Sequence, residues 1–247
     1  MFKGRFSREL LLTLPSFFWL FLFFLIPTII IFAYAFKPYD LYGGIVEGWT
    51  FQTIFDVYDH YFISLIWRTF WLSGLATFFC LLLALPMGYQ FLISSKHWRN
   101  FLLLMIVVPF WSSFLIRIFA WKTILHPEGG FHQALVWIGL IHPHTTLLYH
   151  SGAVLFIMVY TLLPFAVLPI YTATAKFNFQ LIEAAMDLGA TRTQAFLKVF
   201  IPGIRKGIAT AIVMVFIPAV GSYVIPDLVG GSNSEMLGNR IAQKTFV

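Results

Sequence analysis

Long apolar runs and short polar breaks alternate along this chain, and five of the runs can cross a bilayer. Residues 10–36, 69–95 and 151–175 contain no Asp, Glu, Lys or Arg. Residues 207–226 are likewise uncharged, and residues 100–125 carry only Arg117 and Lys122, both toward the far end. A hydrocarbon core of about 30 Å needs roughly 20 apolar residues in a helix. Backbone groups in lipid must bond internally, and none of the runs alternates like a barrel strand, so the pattern predicts helices. The expected fold is an all-α membrane protein, a bundle of five transmembrane helices forming one domain over 1–247.

The break at 176–206 is long and polar but patterned as structure. Asn178 can cap a short helix over Gln180–Leu188, and Gly189 supplies a left-handed residue to end it. Thr191 and Gln194 have capping-box spacing, which starts a second helix at once. Phe179, Ile182, Met186, Phe196, Val199 and Phe200 fall at helical spacing for packing, leaving Glu183, Asp187 and Arg192 toward water or a partner. On this pattern alone the segment is either a solvated connector or a docking elbow. A second break, 134–149, is aromatic but interrupted by His142, Pro143 and His144. It is too short to span and is expected to be interfacial or re-entrant.

Composition agrees with the bilayer assignment: 60% hydrophobic, 11% charged, 29 Phe and a mean hydropathy of +0.84 exclude an ordinary soluble domain. Charge then sets the orientation. Lys3, Arg5, Arg8, Lys96, Arg99, Lys176, Arg192, Lys198, Arg205 and Lys206, ten of the 16 Lys and Arg, lie in three alternate breaks, which are expected in the cytoplasm together with the N-terminus. Asp40, Glu47, Asp56, Asp59, Glu128, Asp227 and Glu235 fall on the other side, assuming a bacterial inner membrane. The net charge of +6 is thus a topological signal with some attraction to anionic lipid, and it forms no surface for nucleic acid. The first run is too long, and lacks the small-residue cleavage site, for a removed signal peptide.

Catalytic patterns are absent from the sequence. There is no phosphate-binding Gly-x-x-x-x-Gly-Lys loop, no His-Glu-x-x-His pair and no Gly-x-Ser-x-Gly elbow, so an enzyme is not expected and neither is a cofactor. The lone Cys80 sits within the second run and reads as packing. His126, His132, His142, His144 and His150 cluster in the outer region, which raises a metal site as an alternative, but only Glu128 is near and no metal is assigned.

The run Glu183-Ala184-Ala185, then Gly189, then Phe196 and Ile201-Pro202-Gly203 resembles the cytoplasmic loop of binding-protein-dependent ABC importer permeases. Four further segments narrow the resemblance to spermidine and putrescine importer permeases: Arg117-Ile118-Phe119-Ala120-Trp121, Tyr160–Pro164 with Pro169-Ile170-Tyr171, Asp187–Ala190, and Phe216 through Gly221 to Pro226 with Gly230-Gly231. That family implies a coupling helix docked in a groove of an ATPase subunit, two ATPase copies, a second permease subunit and an extracytoplasmic substrate-binding protein. It implies that Glu183 contacts the groove, that Ala184 and Ala185 permit close approach, that Gly189 fixes the turn, and that Asp187 and Pro202 belong to the same loop, 176–206. The family pattern continues into a sixth span after 236–247, where this chain stops, and the C-terminus is expected outside. A permease for another solute such as sulfate or ferric ion, and a non-transporting scaffold or sensor, remain alternatives.

A polyamine path needs carboxylates or aromatic faces, because an unpaired charge in the bilayer costs at least about 2.5 to 3.5 kcal/mol. Tyr223 and Asp227 lie one helical turn apart and are expected to meet one amine, on a helix that Pro218, Gly221 and Pro226 let bend. Trp111 and Trp121 are further candidates, against packing for Trp111 and interfacial anchoring for Trp121. Asp227 has a second option, an ion pair with Arg117 that latches two spans.

Overall fold

The computed structural model describes residues 13–38, 47–52, 55, 60–142, 145–231 and 234–246, and every regular element among them is helical. Lys3, Arg5, Arg8, Asp40, Asp56, Asp59, Pro143, His144, Val247 and the first three residues of the first apolar run lie outside the described residues. Among the described residues three helices are long and apolar enough to cross a membrane, and counting each of two bent pairs as one span brings the number to 5.

The chain divides into two units, 1–64 and 65–247. In the first, α1 (Thr13–Tyr34) buries none of its apolar window against the chain. Its turn at Phe21–Leu25 is widened to π geometry just before Pro27. Proline has no N–H and its ring crowds the carbonyl four residues back, and an extra residue in the preceding turn relieves both problems. Thr28 Oγ1 donates to the Phe24 carbonyl at 2.6 Å beside the same turn.

The long helix α2 (His60–Ile93) begins nine residues before the run that predicts it. One face carries Thr69, Ser73, Ala76, Thr77, Cys80 and Ala84, all buried and small. In a bilayer there is no hydrophobic drive between helices, so close approach of small residues supplies the packing. Cys80 lies there as packing, its Sγ 3.6 Å from the Val159 carbonyl of α6 (Ser151–Thr174). Farther along, a Cβ on Gly88 would run into the Ile170 side chain of the same helix.

The third predicted span is not one helix. The pair 96–111 and 114–137 bends by 94°, with α3 (Lys96–Val107) running into a tight turn over Val108–Trp111 and α4 (Phe114–Leu125) restarting beyond it. Pro109 cannot continue the ladder, and Ser112 and Ser113 are extended. The Pro109 carbonyl accepts from Ser112 Oγ at 2.6 Å and from Arg117 Nη1 at 2.7 Å, so the corner is fixed by two bonds. The next helix, α5 (Gly130–Trp137), is short and shares only residues 134–137 with the outer segment 134–149 expected to be interfacial or re-entrant; the described residues from 138 to 150 are turns and coil. His132 Nε2 donates to the Thr145 carbonyl at 2.7 Å, and His150 Nδ1 accepts from the Gly152 and Ala153 amides to cap α6.

Helices α7 (Gln180–Asp187), α8 (Arg192–Gly203) and α9 (Arg205–Val220) follow, with a 73° bend between the last two. On α9, Gly207, Ala211, Val215 and Ala219 recur every fourth residue and are buried along α6, where a Cβ on Gly207 would collide with Ala173. The fifth span does not run through Pro226 as one helix. It stops at Val220, Gly221 caps it, and α10 (Val224–Val229) restarts after Tyr223. A final helix, α11, covers Leu237–Phe246.

Candidate coupling loop and substrate cavity

Local chemistry builds the elbow between α6 and α9. The Asn178 Oδ1 accepts from the Gln180 amide at 3.1 Å, opening α7. Gly189 adopts φ +89°, the left-handed backbone that glycine reaches without strain, and ends it. Thr191 Oγ1 accepts from the Gln194 amide at 3.3 Å while Gln194 Oε1 accepts from the Thr191 amide at 3.0 Å, a complete capping box. α8 then widens to π geometry at Phe196–Phe200, again two residues ahead of a proline, Pro202.

The inner side of the elbow is anchored by aromatics. Ile182 and Phe200 are buried. Tyr89 of α2 meets Phe196 and Phe200 edge-on at 5.4 Å each, and Phe177 meets Phe200 at 5.6 Å. The elbow is thereby packed against both α2 and the segment that follows α6. The outer side is open: Glu183, Ala184 and Asp187 are exposed, Ala185 is half-buried, and Leu188 is 90% exposed at the helix end. Pro202 is exposed on the far side of the π turn.

A cavity of about 430 Å³ opens where the two helix breaks face each other. Phe110, Phe114 and Arg117 line it from the α3–α4 corner, Thr161 and Phe165 from the middle of α6, and Tyr223 from the α9–α10 break. The guanidinium of Arg117 lies 4.5 Å from the centre of the Phe110 ring, a cation–π seat. Two polar atoms are buried without a partner here, Arg117 Nε and Thr161 Oγ1.

The sequence-derived candidates separate in space. Tyr223 lines the cavity and Asp227 does not; Asp227 is exposed on α10, its amide donating to the Tyr223 carbonyl at 3.0 Å. In place of the alternative Arg117–Asp227 ion pair, Arg117 contacts Pro109 and Phe110, because the 94° corner brings those groups against the guanidinium. Trp111 is 81% exposed and lies off the cavity. Trp121 is held edge-on by Phe156 at 4.9 Å and Tyr160 at 5.3 Å, a packing position between α4 and α6. Sequence reasoning missed Phe110, Phe165 and Thr161, whose convergence depends on two helix breaks. It also missed Asn239, 3% exposed, whose Nδ2 donates to the Tyr223 carbonyl.

A broken-helix bundle with a capped, outward-facing elbow defines the permease subunit of an ABC importer. A solved bacterial ABC transporter involved in the import of the acidic polysaccharide alginate has the same fold, with a TM-score of 0.73, 20% identity, and 97% of this chain and 86% of that one covered. No family model matches the chain. It is 34% identical over 231 residues to the spermidine/putrescine transport system permease protein PotB of Haemophilus influenzae, covering 93% of this chain and 80% of that protein. The PotB of Escherichia coli K12 is 33% identical over 224 residues, 90% of this chain and 81% of that protein. The chain belongs to the PotB family of ABC importer permeases, multi-pass membrane proteins.

Proposed function

We propose that the chain is the permease subunit of an ATP-driven importer that moves polyamines, spermidine or putrescine, across the bacterial inner membrane into the cytoplasm. Its N-terminus and the 176–206 loop face the cytoplasm, and residues 1–247 act as one transmembrane permease domain. The chain itself is non-catalytic. Two copies of an ATPase subunit, a second permease subunit and an extracytoplasmic binding protein complete the machine, in a membrane whose lipid meets the exposed apolar faces.

The observation that carries this reading is the elbow: two helices joined at the left-handed Gly189 and the Thr191–Gln194 capping box, which expose Leu188 outward and tie Phe196 and Phe200 inward to Tyr89. Closure of the ATPases pushes α7, with Glu183 and Asp187 in the docking groove, Ala184 and Ala185 allowing close approach, Gly189 holding the turn and Pro202 beyond the π turn. The aromatic knot passes that push to α2 and α6. The cavity then works on a polycation by its rings, since each cation–π contact contributes about 0.5 to 2 kcal/mol and no carboxylate lines it among the described residues. Tyr223 belongs to that wall, and Asp227 attracts amines from the exposed side of α10; Trp111, off the cavity, and Trp121, packed on Phe156 and Tyr160, are left outside this path.

The test is uptake of labelled spermidine by proteoliposomes holding the chain with its second permease, ATPases and binding protein. ATP-dependent accumulation is expected. Accumulation of sulfate or ferric ion instead would replace the polyamine, and binding-protein-stimulated ATP hydrolysis with no transport of any of these would favour a scaffold.

A further inference from the structure

The cavity between the helix breaks holds a fixed cation of its own. Arg117 lines it, and no carboxylate does among the described residues. The guanidinium donates Nη1 to the Pro109 carbonyl at 2.7 Å and covers the Phe110 ring at 4.5 Å, while Nε is buried without a partner. Thr161 beside it, 3% exposed, also leaves its hydroxyl unpartnered near the middle of a membrane-spanning helix. The remaining walls are chiefly apolar or aromatic, Phe114, Phe165 and Tyr223 among them.

This is an odd lining for a path that carries cations. A positive charge placed in such a cavity raises the energy of any second cation that enters, and the effect grows as water is excluded. In other channels and transporters an arginine at a constriction keeps small cations and protons out while letting the proper solute pass. A polyamine differs from potassium in the property this lining rewards. Its methylene spacers can lie on Phe114, Phe165 and Tyr223, and its ammonium groups can straddle the guanidinium. Potassium brings only charge and a hydration shell it must lose.

We infer that Arg117 is a specificity-determining residue, an electrostatic barrier that stops small inorganic cations leaking through the cavity while a flexible, partly apolar polycation passes. This rests on the proposed polyamine path running through the cavity. The charge is the working part, and the bond to Pro109 and the Phe110 ring hold it in place.

The experiment uses the complete importer in proteoliposomes, with potassium efflux followed by a potential-sensitive dye and labelled spermidine uptake measured on the same vesicles. Arg117→Gln removes the charge with little change in size, and is expected to raise potassium efflux at least about tenfold over the intact importer. Arg117→Lys keeps the charge and should remain tight. Ser222→Asp, at the cavity wall, leaves Arg117 in place and offsets its field, and should leak as well; it serves if the Gln variant fails to assemble. Efflux at the starting level in both Arg117→Gln and Ser222→Asp overturns the inference, as does equal leakage through Arg117→Lys. An importer that takes up no spermidine but leaks potassium only when the charge is removed would sink the polyamine reading and support the barrier.

Discussion

Asn239 donates its side-chain Nδ2–H to the main-chain carbonyl of Tyr223 across 2.8 Å, while its Oδ1 accepts from the Met236 amide at 3.2 Å. One buried amide thereby holds the segment before α11 against the break between α9 and α10. Gly238 makes the approach possible, since a Cβ there would press on the Ser222 carbonyl. The Tyr223 carbonyl also accepts from the Asp227 amide as α10 begins, and Asn239 adds a second bond that ties the break to α11.

Asn239→Ala should take from the buried Met236 amide its Oδ1 acceptor and from the Tyr223 carbonyl its second bond, at a cost of about 1 to 3 kcal/mol. Thermal unfolding of the purified complex is expected to move to lower temperature, with spermidine uptake falling because Tyr223 loses its support. An unchanged melting curve would mean that the bond is idle.

Gly189→Val places a β-branched residue at φ +89°, where strain of about 1 to 3 kcal/mol is expected although no atom stands in the way of a Cβ. The variant should assemble and hydrolyse ATP but take up little spermidine. Gly189→Asn, which tolerates left-handed backbone, should keep most of the uptake. Equal uptake by the Val and Asn variants would detach the turn from coupling.

Leu188 is 90% exposed, so Leu188→Glu should leave the melting temperature where it is. Recovery of the ATPase subunit in pull-downs is expected to drop roughly tenfold, as for loss of an apolar anchor at an interface. Undiminished recovery would place the docking face elsewhere on the loop.

Tyr223→Ala removes an aromatic face from the cavity wall, and loss of one cation–π contact of about 0.5 to 2 kcal/mol corresponds to a roughly 2- to 30-fold fall in uptake efficiency. Tyr223→Phe should behave nearly as the parent. If the Phe variant were as poor as the Ala variant, the hydroxyl and not the ring would be the operative group.

Gly88→Val would force a side chain into Ile170 between α2 and α6, and overpacking of this kind costs about 1 to 3 kcal/mol. A lower melting temperature is the expected result, with Gly88→Ala in between.

The elbow was legible because its determinants are local. Asn178, Gly189, Thr191 and Gln194 each act within three residues of their own position, and all four do in the structure what their spacing predicts. The apolar runs were legible for the same reason, since crossing a bilayer is a matter of length and composition. The two helix breaks were half visible. Gly221 and the flanking prolines signalled the second, and the first was marked by Pro109 with Ser112 and Ser113 but was hidden within an apolar run long enough to span. The cavity was not legible, because Phe110, Thr161, Phe165 and Tyr223 are distant in sequence and converge only once both breaks form. The Arg117–Asp227 pair failed on the same point: the corner turns Arg117 toward Pro109 and Phe110.

The widened turn at Phe196–Phe200 also sets an azimuth. Accommodating one additional residue rotates everything on one side of it by about 100° relative to regular helix. Phe196 and Phe200 both reach Tyr89 in that rotated phase. Closing the turn to regular α geometry with every residue kept would swing α7 through that angle to a different compass bearing around the axis of α8, so that a partner built for the present bearing would find Leu188 pointing past it.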